Sequence, residues 1–162
     1  MTATIPRVLV AVYASPVAAA LAAIGTQLGF HVVLVEPDAR LRNSASWAEQ
    51  AVAGLAALDG EPELAAADVV VTDHHRDDLG VHLRDALARP VRWVGIMGNP
   101  RHEGPHVAAL AELGVPAAEV ARVHRPIGLD IGSKAPAEIA VSTLAGLLAD
   151  RNGRSGGFAH GR

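Results

Sequence analysis

"RVLVAVYASPVAAALAAIGTQLGFHVVLVEP" spans residues 7–37 and holds two apolar runs separated by a helix signal. The first run, Arg7–Tyr13, predicts a strand that is buried on both faces. Ser15 and Pro16 follow it, and they are typical of a helix N-cap and a first helical residue. The second run closes at Glu36. A strand, a helix and a strand of these lengths predict a βαβ unit with parallel strands.

The rest of the chain continues this alternation of helices and strands. Predicted helices run from Ser46 to Asp59-Gly60, over residues 76–89, from Pro105, and from Pro136 to about Asp150, and predicted strands cover Asp68–Thr72, residues 91–98 and residues 121–126. The helix that begins at Pro105 is preferred to an earlier start at Pro100, because Pro105 would interrupt it. The pattern predicts an α/β fold, Rossmann-like, with a mainly parallel sheet and helices on both faces.

Length and composition set limits on the class of protein. The 162 residues suit one domain, which we expect over residues 1–150, with a Gly-rich, polar and disordered tail over residues 151–162. The net charge of −3 provides no basic field for nucleic acid. No run approaches the about 20 apolar residues of a membrane span, and no signal-peptide pattern is present, so we expect a cytoplasmic protein. Cysteine is absent, so the chain cannot itself carry a persulfide.

The turn after the first strand has the position of a dinucleotide loop but not its chemistry. A pyrophosphate needs close backbone approach and free N–H groups at a helix start. Pro16 removes one such donor, and a capping Ser15 hydroxyl occupies another. Glu36 is placed to meet a ribose hydroxyl, or else it is an exposed glutamate beside a capped structural helix. We expect ordinary NAD(P) binding to be lost or much weakened.

Two further loops lie where strand ends meet in such a sheet. "TDHHRDD", residues 72–78, offers imidazoles and carboxylates, although neighbouring residues of an extended run point to opposite faces and cannot alone complete a metal shell. A solvated loop before an acidic helix start is the alternative. Gly95 and Gly98 permit close approach of a flat ligand, or equally of packed backbone. The sequence assigns no catalytic residue and no metal site.

"HRPIGLDIGSKAPAEIAVS", residues 124–142, contains the single lysine of the chain. Gly128 and Gly132 allow positive φ on both sides of Asp130, which predicts a buried carboxylate held in one direction. Lys134 lies beside a helix N-terminus, which is unfavourable for a cation without an anion nearby. That anion is either a carboxylate of the loop, in a structural salt bridge, or the phosphate of a ligand.

These motifs together resemble the Rossmann-like domain of the XdhC/CoxI family, the accessory proteins of molybdenum hydroxylases such as xanthine dehydrogenase and carbon monoxide dehydrogenase. The segment at residues 124–142 is similar to the family's His-x-Pro-Ile-Gly-Leu-Asp-Ile-Gly and Pro-x-Glu-Ile-Ala motifs. "WVGIMG" resembles its Tyr-Ile-Gly-Leu-Ile-Gly strand, and Thr72 and His75 match its Thr-His-Asp-His stretch. The resemblance covers about Arg7 to Asp150.

The resemblance implies a role in maturation of molybdenum cofactor (molybdopterin), which family members bind, protect and deliver to the apo-hydroxylase with sulfur from a separate cysteine desulfurase. It makes a hydroxylase subunit, and that desulfurase, the expected partners. The expected cofactor-binding residues are Glu36, Thr72, His75, Gly95, Gly98, Gly128, Asp130, Gly132 and Lys134.

The chain also departs from the family pattern. The family's Gly-Ala-Gly-His-Val-Gly loop is replaced by residues 13–18, and its Ser-Arg-Arg-Lys run by residues 99–102. Two other functions stay open. One is an NAD(P)-binding oxidoreductase, which needs an intact cofactor loop. The other is a degenerate Rossmann domain that acts only in assembly, for example as a homodimer through an Ala/Leu helix face.

Overall fold

Six parallel strands form one sheet in the order β3-β2-β1-β4-β5-β6 in the computed structural model, which describes residues 6–158. The strands are β1 (Arg7–Val12), β2 (Phe30–Val35), β3 (Gln50–Val52), β4 (Ala67–Val71), β5 (Trp93–Ile96) and β6 (Val123–His124). The helices are α1 (Pro16–Gln27), α2 (Ala39–Ser44), α3 (Leu79–Leu87), α4 (Pro105–Glu112), α5 (Ala117–Val120) and α6 (Pro136–Arg151). The predicted α/β, Rossmann-like fold is confirmed.

Apolar side chains cover both faces of the sheet. On one face α1 and α6 pack together over β1 and β4, with Leu21 and Leu144 fully or almost fully buried. On the other face α3 and α4 contribute Leu83 and Leu110 to a second core. Strands covered on both sides are continuous apolar runs, which is why β1, β2 and β4 were recognisable in the sequence. No helix among residues 6–158 has the length and apolarity that a bilayer crossing requires.

The first βαβ unit and two later helix starts follow the sequence prediction. The Ser15 hydroxyl accepts a hydrogen bond from the Ala18 N–H at 3.0 Å, and Pro16 is the first residue of α1. α4 begins at Pro105 and α6 at Pro136, as predicted. Each start depends on a proline whose missing N–H would have no partner in the first helical turn in any case.

The helix predicted from Ser46 to Asp59-Gly60 is wrong. This region instead forms β3, which pairs with β2 at the sheet edge, followed by two 3₁₀ turns at Leu55–Leu58 and Pro62–Ala66. The alanines favour a helix locally, but strand pairing and burial of the turn leucines override that preference. The sheet therefore has six strands where five were predicted.

Smaller differences affect element ends. α3 begins at Leu79, three residues later than predicted, and α5 adds a short helix before β6. α6 closes at Arg151, the first residue of the predicted tail. Residues 159–162 of that tail lie outside the described residues, so the domain division at residue 150 stays a prediction.

A buried carboxylate joins the amino end of the sheet to the last helix. Asp68 has no solvent exposure, and its two oxygens accept hydrogen bonds from Arg92 Nε at 2.5 Å and Arg151 Nε at 2.9 Å. Arg92 also binds Asp150 at 2.6 Å, and Arg151 donates to the Ala66 carbonyl oxygen. Two charged partners offset the desolvation of Asp68, so β4 and the end of α6 are held together by charge as well as by apolar contact.

Replacing Asp68 with asparagine removes the buried charge and leaves two guanidinium groups without their anion. We expect Asp68→Asn to lower the free energy of unfolding by about 3 kcal/mol, as breaking one side of a buried ion pair does. Urea denaturation measures this loss. The control is Asp59→Asn, whose carboxylate is 55% exposed in its pair with Arg89 and should change the midpoint little. Equal losses in the two variants would contradict the special role of Asp68.

Candidate functional site

The carboxyl ends of β1, β2 and β4 meet where a Rossmann fold binds nucleotides. Tyr13, which directly follows β1, has a φ of 76°, and it is the single non-glycine residue with positive φ within residues 6–158. This position corresponds to the first glycine of an intact dinucleotide loop, and glycine adopts positive φ without strain. The Tyr13 side chain is fully buried, so it fills space that a glycine would leave open.

The Tyr13 phenol belongs to a set of polar side chains, which we call the Glu36 cluster: Tyr13, Glu36, Arg76, Asp78 and His82. The Tyr13 hydroxyl donates to Asp78 Oδ1 at 2.8 Å, and His82 Nε2 lies 3.1 Å from Asp78 Oδ2. The Tyr13 and His82 rings meet edge-on with centroids 5.4 Å apart. These contacts hold Tyr13 between the end of β1 and the start of α3.

Glu36 is buried, so the alternative expectation of an exposed glutamate is wrong. Its exposure is zero, and its two carboxylate oxygens accept hydrogen bonds from the N–H groups of Ala14 and Asp38, each at 2.9 Å. Arg76 donates to the same two oxygens, Nη2 to Oε1 at 2.8 Å and Nη1 to Oε2 at 3.3 Å. The carboxylate placed to meet a ribose is therefore fully engaged by groups of the protein.

Arg76 crosses the carboxyl end of β1 to reach Glu36 from the loop after β4. Its guanidinium carbon lies 4.3 Å from the centroid of the Tyr13 ring, a cation–π distance. One face of the guanidinium thus covers the phenol, while its edge forms the paired hydrogen bonds with the carboxylate. Sequence analysis missed Arg76 and His82, and it offered Asp78 only as one of the carboxylates of residues 72–78. The available signal was a tyrosine at a glycine position, which requires neighbours to surround a large ring.

The charges of the Glu36 cluster are fixed by these contacts. Burial by itself would raise the pKa of Glu36, but the hydrogen bonds from Arg76, Ala14 and Asp38 outweigh burial and lower it. Burial and the hydrogen bond to Asp78 raise the pKa of Tyr13 far above its usual value. At neutral pH the cluster holds a charged ion pair beside a neutral phenol. The carboxylate and the phenol are engaged by groups of the protein, whereas the buried His82 Nδ1 has no hydrogen-bond partner among the described residues.

At the start of α1, hydrogen bonds within the protein engage the Ser15 hydroxyl. The Ser15 hydroxyl both caps Ala18 and donates to Thr72 Oγ1 at 2.9 Å. Thr72 Oγ1 in turn lies 3.0 Å from the carbonyl oxygens of Val12 and Tyr13. Thr72 therefore holds the first loop in position through hydrogen bonds. Its expected contact with a cofactor stays a prediction.

The loop after β4 brings two imidazole rings together. The His74 and His75 ring centroids are 4.0 Å apart, and the His75 N–H donates to Asp73 Oδ1. Burial, and then the charges of His75 and Arg125, lower the pKa of His74. Among the described residues, no three His, Asp or Glu side chains gather closely enough to hold a metal ion. His75 is exposed, and its role in cofactor binding is untested by these contacts.

Packing accounts for both glycines near the end of β5. A Cβ at Gly95 would collide with the Trp93 indole and lie 2.8 Å from Ile127. A Cβ at Gly98 would lie 2.6 Å from Arg125 Nε. Of the two explanations that the sequence left open, close packing is thus sufficient, and a ligand contact at either glycine stays a prediction.

Arg125 is a further residue that sequence analysis missed. Its guanidinium donates to the carbonyl oxygens of His102 and Asn99, each at 2.8 Å. The loop between β5 and α4 is therefore folded around one arginine from the start of the 124–142 segment. An arginine within a family-like motif was the signal, but nothing local indicated which loop it would contact.

The segment after β6 packs against α6. Gly128, with a φ of 83°, lies against Gly146, and a Cβ at Gly128 would meet Ser142 Oγ at 2.5 Å and helix backbone at 3.1 Å. The Ser142 hydroxyl donates to the Leu129 carbonyl oxygen. Gly132 also has positive φ, at 68°, but has open space around it. The predicted conformations of Gly128 and Gly132 are confirmed, for two different reasons.

The expectation of a buried Asp130 is wrong. Asp130 is exposed, as is Lys134, and within residues 6–158 neither side chain has an ion-pair or hydrogen-bond partner. The neighbouring Ile131 is itself 49% exposed. The loop salt bridge that was the alternative is therefore not formed. Ser133 Oγ accepts from the N–H of Ala135, the N-cap residue of α6, at 3.1 Å.

The Glu36 charge should appear in the pH dependence of stability. Its pKa in the folded protein is below the ordinary 4.5, so near that pH the folded state binds fewer protons than the unfolded chain. We expect Glu36→Gln to be less stable than the wild type at about pH 7, and the difference to shrink as pH falls below about 4.5. Urea midpoints across this range measure it, and a difference that stays constant with pH would refute the charge-based explanation.

The two glycines of the segment after β6 provide a matched pair. Gly132→Ala introduces left-handed strain alone and should cost about 1 kcal/mol. Gly128→Ala adds a clash with α6 and should cost about 1–3 kcal/mol more. Thermal unfolding of both variants measures the difference. Equal effects would show that Gly128 is not held against the helix in solution.

Comparisons with known proteins agree with this fold. The model of the XdhC Rossmann domain family matches residues 9–147. The Escherichia coli (strain K12) protein YqeB, described as uncharacterized, is 32% identical over 111 residues, which cover 68% of this chain and 20% of YqeB. This chain therefore spans about a fifth of that curated relative.

A solved structure is also similar. The crystal structure of a xanthine dehydrogenase from Bacillus halodurans matches with a TM-score of 0.70 and 21% identity, covering 91% of this chain and 45% of the other. At this identity the likeness concerns the fold. The family match covers most of the chain, including the strand ends and the segment that packs against α6, and the chain belongs to the XdhC family through its Rossmann domain.

Proposed function

We propose that this protein is an accessory factor in the maturation of a molybdenum hydroxylase of the xanthine dehydrogenase or carbon monoxide dehydrogenase type. It handles molybdenum cofactor or contacts the apo-enzyme, and it does not transfer hydride. Membership of the XdhC family supports the accessory role. The name of the Bacillus halodurans structure, a xanthine dehydrogenase, points to the same class of enzyme.

One observation carries the choice of accessory factor over oxidoreductase: the protein's own groups occupy the nucleotide-binding positions of the first loop. Glu36 is bound by Arg76 and two backbone N–H groups, and Ser15 caps α1. A dinucleotide would find no free ribose acceptor at Glu36 and fewer free N–H donors at the start of α1. This arrangement of the first loop supports a function without hydride transfer and a recognition surface elsewhere on the domain.

The proposed contact surface is the loop from Asp130 to Lys134. Both end residues are exposed and unpaired within the described part of the chain, so neither is needed to stabilise the loop. An unpaired anion and an unpaired cation on a loop shaped by two positive-φ glycines can meet a polar partner or the phosphate of molybdopterin. Because the chain has no cysteine, sulfur for the cofactor comes from a partner, for which a cysteine desulfurase is the expected class.

Co-purification tests this proposal. We expect the tagged full-length chain, expressed with an apo-hydroxylase, to retain a hydroxylase subunit or pterin fluorescence with molybdenum. Asp130→Ala and Lys134→Ala should abolish retention while their unfolding midpoints stay at the wild-type value, because both side chains are unpaired.

Matched controls are Glu112→Ala and Arg40→Ala, which remove exposed charges on α4 and α2 and should leave retention unchanged. Retention of neither hydroxylase nor pterin by the wild-type chain would favour the assembly-only alternative. Micromolar NAD or NADH binding by calorimetry would instead favour the oxidoreductase.

A further inference from the structure

The acidic residue after the second strand of a Rossmann fold binds the ribose hydroxyls of a bound nucleotide. Glu36 holds that position, directly after β2. The backbone N–H groups of Ala14 and Asp38 each bind one oxygen of its carboxylate. An ionised carboxylate has about four acceptor positions, so two remain after these backbone bonds. Arg76 occupies them.

The contacts of Arg76 are those of a bound ligand. It presents two N–H groups to the two oxygens of Glu36, as two neighbouring ribose hydroxyls would. Its planar guanidinium stacks over the Tyr13 ring, which lines the space next to the Glu36 carboxylate. Its side chain is 25% exposed, whereas the Glu36 side chain beneath it is fully buried. Arg76 therefore lies between Glu36 and solvent.

We propose that Glu36 is the carboxylate of a ribose-binding site that Arg76 fills as an internal ligand, so that Arg76 excludes nucleosides from this domain. The Glu36 carboxylate keeps the position and direction of a ribose acceptor, and the Arg76 side chain occupies its free acceptor positions. This inference deepens the observation by which the proposed function sets aside an oxidoreductase, but it does not depend on the contact surface proposed at residues 130–134.

The exclusion of pyrophosphate has separate causes. Pro16 lacks an N–H, the Ser15 hydroxyl covers another donor, and Tyr13 replaces a glycine. Removal of Arg76 therefore should not restore a dinucleotide site. It should restore the ribose contact alone, and adenosine, which carries no phosphate, is the probe that isolates this contact.

Adenosine binding to wild type and Arg76→Ala tests the proposal by NMR titration. We expect the variant to bind adenosine at least about tenfold more tightly than the wild type, the factor that one hydrogen bond to a charged group contributes. It should not gain affinity for 2′,3′-dideoxyadenosine, which lacks both hydroxyls. Guanidinium ion should compete with adenosine in the variant, because it refills the place of the arginine head group.

Two control variants separate the carboxylate from general loosening of the loop. Glu36→Gln in the Arg76→Ala background removes the charged acceptor and should abolish the gain. Arg42→Ala removes an arginine that donates at 2.7 Å to the Glu36 backbone carbonyl and not to its carboxylate, and it should leave adenosine affinity at the wild-type level.

If Arg76→Ala does not fold, as judged by circular dichroism, Arg76→Lys gives the answer. A lysine keeps the charge but lacks the two-pronged fork, so it should free part of the carboxylate and give an intermediate affinity. Equal adenosine affinity in wild type and in the folded variant would overturn the proposal. So would a gain that is the same for dideoxyadenosine, since the ribose hydroxyls would then play no part.

Discussion

The hydrogen bonds and the ion pair of the buried Glu36 carboxylate hold together the loops at the carboxyl ends of the strands. It binds the N–H of Ala14 after β1, the N–H of Asp38 after β2 and the guanidinium of Arg76 after β4. Three connections that are distant in sequence are thus joined through one charge. A fully buried carboxylate is tolerated only when its acceptor positions are occupied. If one of these loops moved away, the buried charge would lose a hydrogen-bond partner. The energetic cost of that loss holds each loop in place.

A second buried carboxylate with charged partners lies at the amino ends of the strands. Asp68 is equally buried and is paired with Arg92 and Arg151, which join β4 to the end of α6. The domain therefore carries one enclosed anion at each end of its strands, with apolar side chains between them. At the amino end the pair supports the packing of a helix. At the carboxyl end, where Rossmann folds bind ligands, we propose that the pair fills the place that a ligand would take.

The proposed recognition surface lies in the other half of this end of the sheet. There the chain folds a loop around Arg125, packs against α6 at Gly128 and presents Asp130 and Lys134 to solvent. Polar groups without internal partners are the ones free to meet a partner or a cofactor. The family relationship and this distribution of used and unused charges support the same proposal, an accessory role without hydride transfer.

The amino-acid sequence by itself determined the parallel α/β pattern and the starts of α1, α4 and α6, because apolar runs and prolines act over a few neighbouring residues. It also determined the positive φ of Gly128 and Gly132. Tertiary structure decided the rest. Pairing with β2 converted an alanine-rich stretch into β3, and Arg76, forty residues away in the chain, buried Glu36. Asp130 is exposed and has no charged partner among residues 6–158. Such outcomes depend on which charges the fold brings together, and local sequence carries no record of that.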